Sequence, residues 1–435
     1  MSTWSIFKFG GASVKDPGAL RNAVRLVREY GTHPLLVVVS AMGKTTNQLE
    51  TLVQAVHRDQ WPLAMEILGQ LHEAHQARIL PLPVNTTDSK RLMDVLEHWM
   101  AKLKADLEGM RAKQVPYNCL YDQIVVYGEL ISTALVSAYF EIQGFAHTWV
   151  DAGDLLVTDA TWRDARIQWE ETVTKVKAFD ALHRGAAPSN SGTCVLTQGF
   201  MGQDAVSGLR TTLGREGSDF TASVLAYALD AQEVCVWKDV AGVMDADPRL
   251  FPMARILPSL TYREAVEMTY YGASVIHPRT IQPLQNKGIP LRVRSFLNPD
   301  EGGTVIGEMQ DQGRFSPCVI VKKNQCLLEL VSKDFSFVGE EGLAMIYKAL
   351  YDQGLKANLA RHTAVSFSLC VDNDPYKRLP VQDILLTNFG IQVTEGLSLW
   401  TLMHQSDKMR SGLLAGKQIL FEQHLGNVYQ YVVVD

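Results

Sequence analysis

At 435 residues the chain is too long for one ordinary domain, and two or three are expected. Its 46% hydrophobic and 20% charged residues are those of a globular chain, and a formal net charge of −6 argues against nucleic acid or an anionic membrane as partner. No basic-then-apolar leader opens the sequence, the longest apolar runs fall far short of a membrane span, and six scattered cysteines lack a Cys-x-x-Cys pair, so a cytoplasmic location with reduced core thiols and no structural zinc is expected.

In chain order, Trp4 to Phe9 reads as a strand that Gly10-Gly11 breaks. Asp16-Pro17 starts a helix, because aspartate caps and proline suits the first turn. Leu35 to Val39 is a continuous apolar run, as in a strand covered on both faces. His72 to Glu108 lacks glycine and repeats apolar residues at helical spacing, which predicts a helical hairpin around Pro81 to Thr87. Further strands are expected at Thr148 to Asp151, Thr193 to Gln198 and Glu233 to Trp237, with helices between them. This alternation predicts an α/β fold with a mostly parallel sheet sandwiched by helices.

The turn cluster Asn298 to Gly303 and the polar stretch Gln310 to Ser316 mark a domain boundary, giving a first domain over 1–305. Beyond it come strand Cys326 to Val331, helix Glu341 to Gln353, and strands Lys356 to Arg361 and Val365 to Val371. A helix near Pro380 to Thr387 and a strand at Gln392 to Thr394 complete a βαββαβ order. That predicts a compact α+β module over 316–395, followed by a partial second module over 396–435.

Five clusters hold residue types suited to chemistry. Lys8-Phe9-Gly10-Gly11-Ala12-Ser13 follows a strand: two glycines let backbone N–H groups approach a phosphate, and Lys8 supplies a point charge. No Gly-Lys-Ser/Thr follows, so this is not a Walker loop, and a plain strand-to-helix turn explains the same residues. Ser40 to Asn47 again joins a strand to a helix; Thr46 or Asn47 is either a cap or a ligand contact. Glu129 after Gly128 lies on a polar stripe or is held for a cation. Thr211 to Asp219 packs hydroxyls, Arg215, a carboxylate and two glycines into nine positions, which favours a site over a solvent loop. Trp237 to Val243, with Asp245 to Arg249, ends a buried strand where ligands of open α/β sheets bind.

Together and in this order, these clusters resemble the aspartate kinase branch of the amino-acid kinase family from Lys8 to about Ile306, with Gly272-Ala273 and Ile276-His277-Pro278 adding to the match. The C-terminal modules resemble ACT-type regulatory domains. The resemblance implies ATP- and Mg2+-dependent phosphorylation of the β-carboxylate of L-aspartate to 4-phospho-L-aspartate, the first step toward lysine, threonine and methionine. It implies a monofunctional enzyme, not fused to a homoserine dehydrogenase, that assembles as a homodimer or larger homo-oligomer through the ACT-like region. By the resemblance, Lys8 and Asp219 are catalytic; Thr46, Glu129, Arg215 and Ser218 hold aspartate; and Lys8, Gly10, Gly11, Ala12, Lys238, Asp239, Met244, Arg249 and Ser274 line the ATP site. Arg215 takes the α-carboxylate and Glu129 lies near the α-ammonium, with the metal carried on ATP rather than by protein ligands. A kinase of glutamate or N-acetylglutamate, or a catalytically silent ACT-domain sensor, are the competing readings.

Several positions depart from the family pattern. Glu216 and Lys44 stand where glycine is frequent, and Met244 where some members have tyrosine. Ser274 occupies the place of a nucleotide-binding lysine, a charge that Lys238, where other members have threonine, is placed to restore. For a lysine or threonine effector, the resemblance points to Ser332, Asp334, Phe335, Asn358 and Thr363.

Overall fold

All side chains of Ser5–Phe9 (β1) and Leu35–Val39 (β2) are buried, which places both strands inside a sheet covered on two faces. The computed structural model describes residues 3–186, 192–273, 276–308, 317–333 and 337–435. Between β1 and β2, Pro17–Tyr30 (α1) starts where Asp16 accepts the Ala19 N–H at 2.8 Å, with proline in the first turn. Thr45–His57 (α2) leads into the expected helical hairpin, Trp61–Ile79 (α3) and Thr86–Ala112 (α4), whose start is capped by Asn85.

Tyr117–Val125 (α5) and Tyr127–Ile142 (α6) follow. Among the described residues this stretch alone is long and apolar enough to cross a membrane, but 94% of its apolar window is buried by the chain, as in core helices. Next come Thr148–Val150 (β3), Ala152–Leu155 (α7), Val157–Thr158 (β4) and Trp169–Ala186 (α8). Cys194–Gln198 (β5), Met201–Asp204 (β6), Arg210–Thr212 (β7), Gly217–Leu229 (α9) and Glu233–Lys238 (β8) continue the alternation. The elements before the C-terminal sheet end with Ser259–Thr261 (β9), Tyr262–Tyr271 (α10), Pro278–Gln285 (α11), Leu291–Ser295 (β10) and Thr304–Gly307 (β11).

The main sheet has the order β3-β5-β2-β1-β8-β10-β11-β9 and is parallel except between β10 and β11. Phe9 pairs with Val39 and Trp237, and Val39 with Gln198, so the C-terminal ends of four strands open side by side. Ligands of open α/β sheets gather at that edge. The strands β4, β6 and β7 form a small separate sheet.

The chain divides into two compact units. Met1–Val243, Ile256–Val266 and Ile276–Gln310 form the first; Met244–Arg255, Glu267–Val275 and Asp311–Asp435 form the second. The second unit is built on Cys318–Ser332 (β12), Glu340–Asp352 (α12), Ala357–His362 (β13), Ser366–Asp372 (β14) and Pro375–Leu385 (α13). Phe389–Met403 (β15), Asp407–Leu414 (α14), Ile419–Leu425 (β16) and Val428–Val434 (β17) complete it. Its antiparallel sheet runs β13-β14-β12-β15-β17-β16.

The βαββαβ order is present, but β12 and β15 are each longer than the sequence suggests. Leu327–Ser332 pairs with Phe389–Thr394, and beyond a bulge Cys318–Lys322 pairs with Leu399–Met403. Both halves of the C-terminal region therefore share one sheet through two long strands. Ile346, Leu350, Val381 and Leu385 of α12 and α13 cover one face against Leu328, Leu330 and Leu369. The segment Met244–Arg255 joins this unit, where Val319 donates its N–H to Asp245 O at 2.7 Å and Phe251 packs edge-on against Trp400.

Candidate active site

Lys8 is the penultimate residue of β1, and beyond it the chain turns through Gly10 into a short 3-10 helix over Gly11–Val14. A Cβ at Gly11 would lie 2.7 Å from Ala41 O, so only glycine lets this turn close against the loop after β2. That loop is tied back by Gly43 N–H donating to Gly11 O and Ser40 N–H to Phe9 O, both at 3.0 Å. The result is a pair of interlocked strand-end loops beside the Lys8 side chain.

Asp219 arrives from the first turn of α9 and is almost fully buried. Its carboxylate lies 2.6 Å from the Lys8 ammonium and 3.7 Å from that of Lys238, at the end of β8. Burial raises the Asp219 carboxyl, but the two ammoniums outweigh it and hold the group below the usual carboxylate range. Two cations around one anion leave a net positive charge at the edge of the parallel sheet. A transferring phosphoryl group calls for such a charge.

At the other end, Glu129 lies in the first turn of α6 and is buried. A Cβ at Gly128 would be only 3.0 Å from Ala41 Cβ, and this close approach lets Glu129 Oε1 accept the Ala41 N–H at 3.2 Å. Among the described residues its Oε2 has no hydrogen-bond partner. Burial pushes the carboxyl up to about 8, against the lowering effects of the Ala41 N–H and the Lys8 charge. A buried carboxylate with one unpartnered oxygen suits a ligand cation.

Arg215 follows Gly214, whose φ of 71° is left-handed, and precedes Glu216, which holds φ 54° at the start of α9. That conformation gives a physical reason for the glycine that the family resemblance leads one to expect at position 216. Here the Glu216 carboxylate accepts the His277 N–H at 3.2 Å.

These groups line one cleft of about 920 Å³ in the first unit. It brings together Lys8, Gly10, Gly11, Ala12, Thr46 and Glu129 with Arg215, Ser218, Asp219, Lys238 and Asp239. Met244 and Arg249 belong to the second unit, where the Arg249 guanidinium pairs with Asp247 at 2.7 Å, and Ser274 lies outside the described residues. The cleft also has a wall that no motif indicated: Glu50, Asn118, Tyr121 and Arg163.

Of the effector positions, Asp334 and Phe335 lie outside the described residues. Ser332 ends β12 beside the Thr363–Ser366 turn, through its N–H to Val365 O. Asn358 stands beside the middle of that strand, because β12 and β14 run antiparallel with Gln325 opposite Asp372 and Val331 opposite Ser366. There it donates to Gln325 at 2.8 Å and Asp372 at 2.9 Å, while Lys322 donates to its oxygen at 2.8 Å. One chain thus holds Ser332 and Thr363 together and Asn358 apart from them.

Residues 3–295 match the model of the amino acid kinase family, and the chain belongs to that family. It is 32% identical over 377 residues to aspartokinase 2, chloroplastic, of Arabidopsis thaliana, covering 84% of this chain and 66% of the relative. A bifunctional aspartokinase/homoserine dehydrogenase of Haemophilus influenzae is 30% identical over 433 residues, covering 94% of this chain and 51% of the relative. The chain spans somewhat less than two thirds of the length of the plant aspartokinases it matches. Among solved structures, E. coli aspartokinase III in complex with lysine and aspartate superposes with a TM-score of 0.83 at 27% identity, covering all of this chain (100%) and 96% of that one. The same enzyme with aspartate and ADP gives a TM-score of 0.76, also at 27% identity, covering 99% of this chain and 96% of that one. The resemblance drawn from the sequence clusters agrees with these similarities.

Proposed function

We propose that this chain is an aspartate kinase, transferring the γ-phosphoryl group of ATP to the β-carboxylate of L-aspartate. The observation that carries the reading is one cleft with the Lys8–Asp219–Lys238 group at one end and the buried, half-partnered Glu129 at the other. A neighbour of the same architecture, E. coli aspartokinase III, holds aspartate and ADP.

In this reading Glu129 receives the α-ammonium on its unpartnered oxygen, and the Arg215 guanidinium receives the α-carboxylate in a two-pronged contact. Thr46 and Ser218 complete the amino-acid seat. The β-carboxylate needs no general base, since its pKa of about 3.9 leaves it ionised at neutral pH. The barrier is repulsion between that carboxylate and the triphosphate. Lys8, held by Asp219, and the N–H groups after Gly10 take up charge on the transferring phosphoryl group, so catalysis is positioning and charge stabilisation. Lys238 and Asp239 serve the nucleotide side, with Met244, Arg249 and Ser274 assigned there by family resemblance. Magnesium carried on the nucleotide would neutralise phosphate charge there.

N-acetylglutamate has no ammonium for Glu129, and the ion-paired Lys8 argues against a silent sensor. Likeness to E. coli aspartokinase III, which is known with lysine bound, supports an amino-acid effector, and the ACT-like order of the second unit is the ground for placing the effector and assembly between copies there. The six buried cysteines fit a reducing, cytoplasmic setting. A coupled assay of ADP release with aspartate, glutamate, N-acetylglutamate or no acceptor tests the reading. Aspartate-dependent release is expected, and equal release without any acceptor would defeat it.

A further inference from the structure

The amino-acid end of the cleft holds a second guanidinium. Arg163 lies in the turn between β4 and α8, lines the cleft, and has φ 71°. For a residue with a Cβ, this left-handed conformation persists only where the surroundings enforce it. The enforcing group is Asp122 of α5, fully buried, whose two carboxylate oxygens accept the Arg163 N–H at 3.0 and 3.1 Å. The same carboxylate accepts the N–H of Thr212 at 2.9 Å and its hydroxyl at 2.8 Å. One buried group therefore ties the Arg163 turn to the strand that leads into Leu213-Gly214-Arg215. The fit is close: a Cβ at Gly214 would lie 2.7 Å from Asp164 Oδ1 and 3.2 Å from Arg163 O. Asp164 is itself held by Arg279 at 2.6 Å.

The guanidinium is backed by two aromatic rings. It lies 4.5 Å over the Tyr121 ring and 5.8 Å from that of Tyr117, and the Tyr121 hydroxyl donates to Glu50 at 2.5 Å. Stacking occupies the face of the guanidinium and leaves its in-plane N–H fork for a ligand. Among the described residues it forms no ion pair with a carboxylate. A strained turn, a buried clamp and a stacked, uncommitted fork are arranged around one substrate pocket. The phosphoryl end already has its cations on β1 and β8, whereas this turn abuts the residue before Arg215.

We propose that Arg163 is a specificity-determining residue that grips the α-carboxylate of the amino-acid substrate alongside Arg215, with Asp122 as its positioning residue. The proposal deepens the aspartate kinase reading and rests on it. The deciding variant is Arg163→Gly, because glycine accepts the left-handed turn without strain. Its melting temperature should equal or exceed that of the unaltered protein. Its KM for aspartate should rise by roughly tenfold or more, while kcat and the KM for ATP stay within about threefold. Added methylguanidinium should restore part of the loss, and Arg163→Lys, with a charge but no fork, should fall between.

An aspartate KM within about twofold of the unaltered protein, or an equal rise in the KM for ATP, overturns the proposal. If the unaltered protein releases no ADP with aspartate, the kinase reading fails, and calorimetric titration with L-aspartate then judges Arg163 separately. Weaker binding to Arg163→Gly than to the unaltered protein supports the role; equal binding, or none to either, overturns it.

Discussion

Glu129 has a carboxyl pushed up to about 8 because α6 buries it against the loop after β2 with one oxygen unpartnered. An ammonium seated on that oxygen favours the ionised form, so aspartate binding near pH 7 should expel about one proton. Calorimetry of aspartate binding in buffers of different ionisation enthalpy should detect the release, and Glu129→Gln should abolish it. The same shift has a stability consequence whose sign follows from linkage. The folded chain keeps a proton that the unfolded chain loses above the ordinary 4.5, so unliganded stability falls as pH rises through the window up to about 8. Asp122, raised to about 6 by burial, contributes only to the lower part of that window. His75, lowered to about 4 by burial, adds a slope of opposite sign up to its ordinary 6.5, so the slope from pH 7 to 8 belongs to Glu129. Melting curves of Glu129→Gln should be flatter there, the full effect being bounded by about 5 kcal/mol. Lys8→Ala should leave the fold in place but lower kcat at least a hundredfold, about 3 kcal/mol of lost stabilisation on the phosphoryl group. A residual rate above about a tenth would remove Lys8 from that role. Lys238→Thr should impair ATP use more than aspartate use, read from the two KM values, because its ammonium shares Asp219 with Lys8.

The cleft depends on elements meeting at their ends. The turn after β1 and the loop after β2 interlock only because Gly11 has no side chain where Ala41 O approaches to 2.7 Å of a built Cβ. Gly11→Ala must push those loops apart, which should cost about 1–3 kcal/mol by chemical denaturation and reduce turnover out of proportion to that loss. Gly18→Ala, in α1, serves as the comparison. Its Cβ would meet only the Asp16 carboxylate at 3.3 Å, and it should leave turnover unchanged. In the second unit the long strands β12 and β15 play the joining role, passing from one half of the C-terminal region into the other across a bulge between Lys322 and Gln325.

For the molecule as a whole, the proposed activity and a C-terminal sheet unit of ACT-like order in one chain lead to a linkage argument. An effector bound by the second unit alters catalysis only through different affinities for two states, so effector and aspartate must weaken each other's binding by the same factor. Titration with lysine and with threonine at low aspartate should show inhibition by at least one of them, relieved as aspartate is raised. No inhibition by either up to about 10 mM, above the range usual for metabolite sites, would leave the second unit as an assembly device.

Patterns local in the chain were legible from the residues alone. The buried strands announce themselves as β-branched runs, the starts of α1 and α4 by a capping aspartate and a turn region, and the phosphoryl end of the cleft by Lys8-Phe9-Gly10-Gly11. The small sheet of β4, β6 and β7 left no such trace, because strands of two to four residues are too short to carry a period. The lengths of β12 and β15 were likewise hidden, since Lys322 to Gln325 and Glu395-Gly396 interrupt each apolar run where the pairing shifts, and read as strand ends. Arg163 is the clearest case of a residue only the fold could single out. In sequence it is one more charge in a polar turn. Its strained φ, its clamp on Asp122 and its stacking on Tyr121 all come from α5, some forty positions away. Propensity and spacing encode what neighbours along the chain do to one another. Which distant carboxylate and ring meet a given guanidinium is set by the packing of helices on the sheet, and that is decided only when the whole core closes.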